Sequence, residues 1–409
     1  MAVGTGAGPV RKTGGGRAAA ADFLSMDELL TAEERAVRDA VAAFVDAEVR
    51  PLIADCFDAG RFPTELIPGI ARLGVLGMHL SGYGCAGASA AAYGVANREF
   101  EAGDSAIRSF VSVQGSLAMF PIFTYGSEEQ KQQWLPRMAA GEAVGCFGLT
   151  EPDAGSDPAS MRSTARREGG DWVLSGSKMW ITNGSIADVA VVWARTGSGV
   201  AGFLVEKGMR GFTATDIPHK YSLRASVTST LHLDDVRVPE SSRLPLASGL
   251  SAPLSCLTEA RYGIAWGATG VARDCLLAAL SYAGSRTVFG RALSGTQLAQ
   301  ERFADMVTRL SAASAIAVRL SQLKEAGRLV PAQVSLGKRH NVRVALDIAR
   351  ASRMLLGANG ITLDYPPLRH AMNLESVITY EGTEEVHTLV LGQALTGISA
   401  FGGSSDGDS

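Results

Sequence analysis

Residues 147–157 read Phe-Gly-Leu-Thr-Glu-Pro-Asp-Ala-Gly-Ser-Asp, and residues 178–183 read Lys-Met-Trp-Ile-Thr-Asn. The first run is irregular, rich in Gly, Ser, Pro and acids, and exposes backbone N–H and C=O groups that can meet a flat, heteroatom-rich ligand. The second ends a β-rich run on an aromatic and a hydroxyl. On physics alone the pair is an ordinary loop and hairpin. What they introduce decides the fold. From 146 to 255 the chain breaks into short β-rich runs at 172–174, 178–182, 189–194, 203–205 and 230–238. Turn residues separate them, including Asn183-Gly184 and Asp234-Asp235. Leu231, Leu233, Val236 and Val238 suggest strands with one buried face. The spacing predicts a small antiparallel β domain rather than a parallel nucleotide-binding sheet.

On both sides the periodicity is helical. In 22–145, Val37, Val41, Phe44, Val45 and Val49 recur at three- and four-residue steps, as one buried helix face requires. Residues 93–108 and the run SEEQKQQWLPRMAAGE from Ser127 also read as helices, the latter with a capping box between Ser127 and Gln130. In 256–401 the patterns are long and rich in Ala and Leu; 302–325 and 332–356 each suit one rod of a four-helix bundle. The expected class is α+β: an N-terminal helical domain, a middle antiparallel β domain and a C-terminal four-helix bundle. Residues 1–21, Gly- and Ala-rich with Arg11, Lys12 and Arg17 and no acid, read as a disordered leader. Residues 402–409 read as a flexible tail.

Composition removes several function classes. A chain of 409 residues can bury a large core over two or three domains. A formal net charge of −3 offers no basic field for a nucleic-acid backbone. Apolar runs break well short of the ~20 residues that span a bilayer. Neither a nucleic-acid nor a membrane partner is expected. Cys56, Cys85, Cys146, Cys256 and Cys275 are scattered without a CxxC pair, which argues against a disulfide scaffold and for a reducing compartment. The histidines lack HExxH spacing, so no metal is assigned. The glycines of GTGAGP follow no strand, and neither a Walker lysine loop nor a GxSxG elbow occurs.

The two opening runs resemble the flavin-binding signatures of the acyl-CoA dehydrogenase family. LLGANGI at 355–361 and TYEGTEEVH at 379–387 extend the likeness, which covers about 25–401. Within the family the glutaryl-CoA dehydrogenase branch is most similar, through GYGCAG (82–87), RSFVSVQ (108–114), ARYGIAWG (260–267), RHAMNLE (369–375) and LTGISAF (395–401). The resemblance implies FAD as cofactor and an acyl-CoA or acyl-carrier-protein thioester as substrate. It also implies an electron-transfer flavoprotein as redox partner, a homotetramer, and a location in the cytoplasm, or in the mitochondrial matrix of a eukaryote.

Residue roles carry over by position. Glu381 resembles the catalytic base, although its pattern alone makes it one more acid before a helix capped by Thr383. Some branches take the base from the position matched by Ala260; Glu259 is one step off. A desolvated carboxylate is a stronger base, which is what a weakly acidic thioester α-carbon needs. For the cofactor, the resemblance implies backbone groups of Phe147, Leu149 and Thr150, with Ser156, Trp180, Ile181, Thr182, Gln297, Leu356, Gly357, Thr383 and Glu385. Arg286, with Phe289, would reach it from a neighbouring subunit. For the substrate it implies Arg108 with Glu101, Ser109 and Ser112, together with Ser156, Arg261, Gly382 and Phe401. Arg108 would bind the terminal carboxylate of a glutaryl chain, which dehydrogenation and loss of CO2 would turn into crotonyl-CoA. Phe110 and the segment 254–261 depart from the family pattern. They leave open a carrier-bound substrate whose α-carbanion closes a cyclopropane by internal displacement, without net redox. A non-catalytic thioester-binding subunit is the third reading.

Overall fold

The computed structural model describes residues 21–401. Apart from Ala21, which is buried, the leader reading lies outside the described residues, as does the tail at 402–409. The N-terminal helices are α1 (Ala32–Phe44), α2 (Arg50–Ala59), α3 (Ile67–Arg72), α4 (Ala90–Gly103), α5 (Ser105–Ser112), α6 (Phe120–Tyr125) and α7 (Glu128–Ala139). A two-residue hairpin, β1 (Ser81–Gly82) and β2 (Cys85–Ala86), lies between α3 and α4. The stripe read from α1 onward is real: Val41, Val45 and Val49 are buried, and Val37 and Phe44 pack beside them. The capping box opens α7, with Ser127 Oγ accepting from the Gln130 amide at 3.3 Å. Residues 93–108 are not one helix. Asp104 is extended (φ −168°, ψ 145°) and its carboxylate caps α5 by accepting from the Ala106 amide at 2.8 Å. A short polar side chain here offers the backbone an alternative to helix. Continuing from α5, a π-helical turn (Val113–Met119) leads into α6. The whole run Ser105–Tyr125 is apolar and long enough to span a membrane, but 89% of its most apolar 18-residue window is buried inside the protein, as in a core helix.

The middle sheet is mixed, which corrects the purely antiparallel expectation. Its strands are β3 (Gly145–Gly148), β4 (Thr164–Glu168), β5 (Asp171–Thr182), β6 (Val189–Thr196), β7 (Gly199–Glu206), β8 (Phe212–Asp216) and β9 (Thr228–Pro239). The order is β3-β6-β4-β5-β9-β8, with β7 on β6. β3 runs parallel to β6, because a whole hairpin intervenes before the chain returns; the other long pairings are antiparallel. The sequence reading missed β3, β4 and β8, whose residues carry no alternating apolar run. The runs at 172–174 and 178–182 form one strand. Asp234-Asp235 is not a turn between strands but an irregularity within β9, with Asp235 at φ 49° opposite a register shift in β5. A bulge of this kind increases the local twist without ending the strand.

The C-terminal rods are α8 (Ser251–Ser285), α9 (Gln297–Glu325) and α10 (Pro331–Leu355), with α11 (Pro366–Val377) packed on α8 and α10 as the fourth. A fifth helix, α12 (Glu384–Thr396), rests on α10. The hairpin β10 (Thr287–Val288) and β11 (Arg291–Ala292) joins α8 to α9. The first rod also receives α4 from the N-terminal domain. Two glycines on α8 set that approach: a Cβ at Gly270 would stand 1.9 Å from the Arg98 carbonyl oxygen, and one at Gly267 would stand 1.8 Å from Glu101 Oε2. Gly270→Ala is therefore expected to wedge α4 away from α8 and cost about 1–3 kcal/mol, as overpacking does, read as a lower midpoint in a denaturant melt.

Candidate active site

The chain leaves α11 at Val377 and reverses before α12. Two residues in a row take left-handed backbone, Glu381 at φ 53° and Gly382 at φ 97°. A residue with a Cβ held there costs roughly 1–3 kcal/mol and persists only where its surroundings impose it. Here the surroundings are cations. Lys338 Nζ, from α10, donates to the carbonyls of Tyr380 and Gly382, each at 2.5 Å. Arg261 Nε, from α8, donates to the Glu381 carbonyl between them at 2.7 Å. At Gly382 a side chain has no room, since a Cβ would lie 2.9 Å from His387 Nε2 and 3.3 Å from an Arg261 guanidinium nitrogen. Thr383 Oγ1 accepts from the Val386 amide at 3.2 Å and starts α12. His387 Nδ1 sits 3.0 Å from Ser335 Oγ, and burial pushes the imidazole down to about 3, so it is neutral.

This loop holds Glu381 half-buried, with Oε2 a buried oxygen that has no hydrogen-bond partner among the described residues. Burial raises the Glu381 pKa, while Arg108, Lys338 and Arg261, in that order, work against the rise. Lys338 is pushed down to about 7 by its own burial, with Glu381 opposing. A desolvated, unpartnered carboxylate among cations can still ionise, and then makes a strong base.

The neighbouring wall comes from α4 and α5. Arg108 is 1% exposed; its Nε and Nη2 donate to Glu101 at 2.8 and 3.2 Å, and Nη2 also donates to the Tyr380 hydroxyl. Glu101 and Arg108 meet across the break at Asp104 rather than along one continuous helix. Ser109 Oγ lies 3.4 Å from the Tyr380 hydroxyl, and Ser112 is fully buried. Phe110 faces the other way: its ring stacks on Phe62, centroids 5.2 Å apart, in the N-terminal core. Two helical residues sit ~200° around the axis from Arg108 to Phe110, so the aromatic departure does not reshape this site. It gives no support to an internal-displacement reading.

The β domain carries the residues read for the cofactor ring. Phe147 and Leu149 bury their side chains in the core and leave only backbone to a ligand. The run after them is a closed turn, with Glu151 and Ala154 exchanging backbone hydrogen bonds at 3.1 and 3.2 Å. The Glu151 carboxylate fixes it, accepting from the Arg162 and Ser163 amides at 2.6 and 3.0 Å and pairing with buried Lys178 Nζ at 2.7 Å. The Thr150 carbonyl accepts from the Met179 amide at 2.8 Å. Beside it Trp180, at φ 64°, turns outward and is 56% exposed, whereas Ile181 is buried and Thr182 half-buried. An outward indole next to a backbone edge fits a flat heteroaromatic ring. The end of β5 is tied to the Glu381 loop through 217–228. Thr182 pairs with Thr228, Lys220 Nζ holds Thr228 Oγ1 at 2.7 Å, and Ser222 Oγ lies 2.6 Å from Ser376 Oγ at the end of α11.

Other residues read from the sequence lie elsewhere. Arg286, Phe289 and Gln297 are exposed around the β10–β11 hairpin. Leu356 and Gly357 follow α10 near them, since Asn359 donates to the Tyr282 hydroxyl at 3.0 Å. Along α10 this end is about 25 Å from Lys338 at 1.5 Å per residue, so one chain does not bring these residues to Glu381. Ser156 and Glu385 are exposed, and Phe401 is exposed at the end of the described residues. Glu259 gives both carboxylate oxygens to Lys324 Nζ at 2.6 and 2.7 Å, and Ala260 is buried, so neither rivals Glu381. Lys178, Glu151, Lys338 and Tyr380 escaped the sequence reading. Lys338 left a signal, because it stands in the stripe Val334–Lys338–Val342 where apolar residues belong, and all three are buried.

Comparison with known proteins adds independent findings. Family models described as "Acyl-CoA dehydrogenase" match in three pieces: the N-terminal domain over residues 31–142, the middle domain over 146–236 and the C-terminal domain over 247–396. A short-chain-specific acyl-CoA dehydrogenase of Clostridium acetobutylicum is 34% identical over 90% of this chain and 98% of its own length. A glutaryl-CoA dehydrogenase from Mycobacterium smegmatis, solved with FADH2, is 57% identical with a TM-score of 0.93, covering 94% of this chain and 100% of that one. Butyryl-CoA dehydrogenase from Megasphaera elsdenii is 30% identical with a TM-score of 0.86, covering 90% and 98%.

Removing one partner of a buried ion pair leaves the other charge uncompensated. Lys178→Met is expected to cost about 3–5 kcal/mol in a urea melt and to abolish hydrogen-exchange protection at the Arg162 and Ser163 amides.

Proposed function

The chain belongs to the acyl-CoA dehydrogenase family, an enzyme family that uses FAD, and we propose that it oxidises and decarboxylates glutaryl-CoA, with Glu381 as the base. The observation that carries the base assignment is the buried, unpartnered Glu381 Oε2. The substrate assignment draws support from charge. Arg108, Arg261 and Lys338 face two carboxylates, Glu101 and Glu381, leaving a surplus of positive charge in a buried site. A chain ending in a carboxylate balances that surplus, and a monocarboxylic chain does not. The likeness to the mycobacterial glutaryl-CoA dehydrogenase points the same way.

For the cofactor, the Phe147–Thr150 backbone, Trp180 and Thr182 would hold the flavin ring, and FAD bound there supplies the acceptor for the β-hydrogen and its electron pair. The chain's own residues do the rest. Arg108, already oriented by Glu101 and Tyr380, meets the terminal carboxylate and draws the acyl chain straight. Glu381 removes the α-proton, and the nearby cations offset the negative charge that Glu381 carries beforehand. Once the α,β double bond exists, the γ-carboxylate leaves as CO2. Its electron pair is conjugated through the double bond with the thioester carbonyl. The proton on Glu381 returns to carbon and gives the crotonyl thioester. Arg286, Phe289, Gln297, Leu356 and Gly357 would serve the FAD of a neighbouring subunit in a tetramer, and electrons would pass on to an electron-transfer flavoprotein.

Glu381→Gln is expected to keep FAD but lose exchange of thioester α-protons with D2O; exchange at the wild-type rate would sink the base assignment. Anaerobic turnover of glutaryl-CoA followed by mass spectrometry is expected to yield crotonyl-CoA, and accumulation of glutaconyl-CoA would remove decarboxylation from the reading. The charge-balanced pair Arg108→Met with Glu101→Gln is expected to lower kcat/KM for glutaryl-CoA by about 10- to 100-fold relative to butyryl-CoA, the worth of a charge-assisted hydrogen bond.

A further inference from the structure

Lys338 is one of the largest fully buried side chains, 1% exposed, and the reaction outlined above counts it only as one of three nearby cations. We infer that Lys338 is a positioning residue for the base: lodged between the Tyr380 and Gly382 carbonyls, it holds the Glu381 turn in shape and stabilises the ionised carboxylate. The inference rests on the reading of Glu381 as base and goes beyond it by naming what sets that base.

The geometry is unusual for a lysine. A buried ammonium is costly unless its N–H groups are used. Two of them go to carbonyls that flank the Glu381 peptide on either side, each at 2.5 Å. With Arg261 on the carbonyl between, three successive peptide oxygens are held from the bundle side. That clamp accounts for a glutamate lying at φ 53° with its buried Oε2 unpartnered among the described residues.

The groups facing Lys338 decide what its charge does. Arg108 from α5 and Arg261 from α8 repel it, and Glu381 on the loop attracts it. His387 from α12 stays neutral, and Tyr380 on the loop is held un-ionised by burial. Glu101 is occupied by Arg108. Glu381 is therefore the carboxylate left to oppose the charge of Lys338. Withdrawing the lysine's positive charge raises the pKa of Glu381. A base required in its ionised form then loses activity on the acidic side first.

The test uses the FAD-loaded protein and a 3-thia-acyl-CoA, whose α-protons exchange without oxidation, followed by NMR in D2O across pH 5–9. FAD content and a thermal melt are recorded for each variant. In Lys338→Met the acidic limb of the exchange profile is expected to move up by about one pH unit, with ~10-fold slower exchange at pH values on that limb and FAD retained. Lys338→Arg, which keeps the charge, is expected to hold the limb near wild type. Lys338→Gln, which keeps N–H donors but no charge, is expected to move with the methionine variant. Coincident limbs in wild type and the neutral variants overturn the inference. So does failure of both neutral variants to fold while the arginine variant folds, since the lysine would then be a folding element alone. Absence of exchange in the wild type overturns the base reading itself, a separate outcome.

Discussion

Three peptide carbonyls in a row, at 380, 381 and 382, accept hydrogen bonds from two cations that arrive on different helices, buried Lys338 and half-buried Arg261. Most of the site follows from this clamp. It makes a left-handed glutamate tolerable, leaves the buried Oε2 of its carboxylate without a partner among the described residues, and surrounds it with charge. The two effects on Glu381 oppose each other. Burial alone would leave a neutral acid, and cations alone in water would leave a weak base. Together they allow an ionised carboxylate that is poorly solvated, which is the condition for removing a proton from carbon.

The clamp needs the domains to meet closely. α4 carries Glu101 against α8, and the bare backbones of Gly267 and Gly270 make the room. Asp104 then interrupts the helix and is itself tied to the bundle, accepting from Arg369 Nε at 2.9 Å and Asn373 Nδ2 at 3.0 Å on α11. The break that separates Glu101 from Arg108 in secondary structure thus anchors the N-terminal domain to the helix that leads into the Glu381 loop. From the other side, 217–228 links the end of β5 to the same helix. Charge placement and domain packing are one problem here, because each buried ion is contributed by a different element.

The parts that were readable without coordinates are those with local causes. The helical stripe through Val41, Val45 and Val49, the capping box at Ser127 and the strand of alternating Leu231, Leu233, Val236 and Val238 each depend on residues within one or two turns of each other. Motif order also carried the family, which the matching family models show. Parallel pairing of β3 with β6 was not readable, since register between distant strands leaves no local periodicity, and β4 lacks an apolar run altogether. Phe110 looked like a change in the pocket. Its direction from the helix, set by packing on Phe62, places it in the core.

By itself, the sequence determined which segments are helical or extended, which family the motifs belong to and which carboxylate to examine. Tertiary structure decided what that carboxylate experiences. Lys338 and Arg261 precede it by 43 and 120 positions in the chain, and no pattern of neighbours announces that their donors converge on one turn. Electrostatics acts through distance in space and loss of water, and both quantities exist only after the chain has folded.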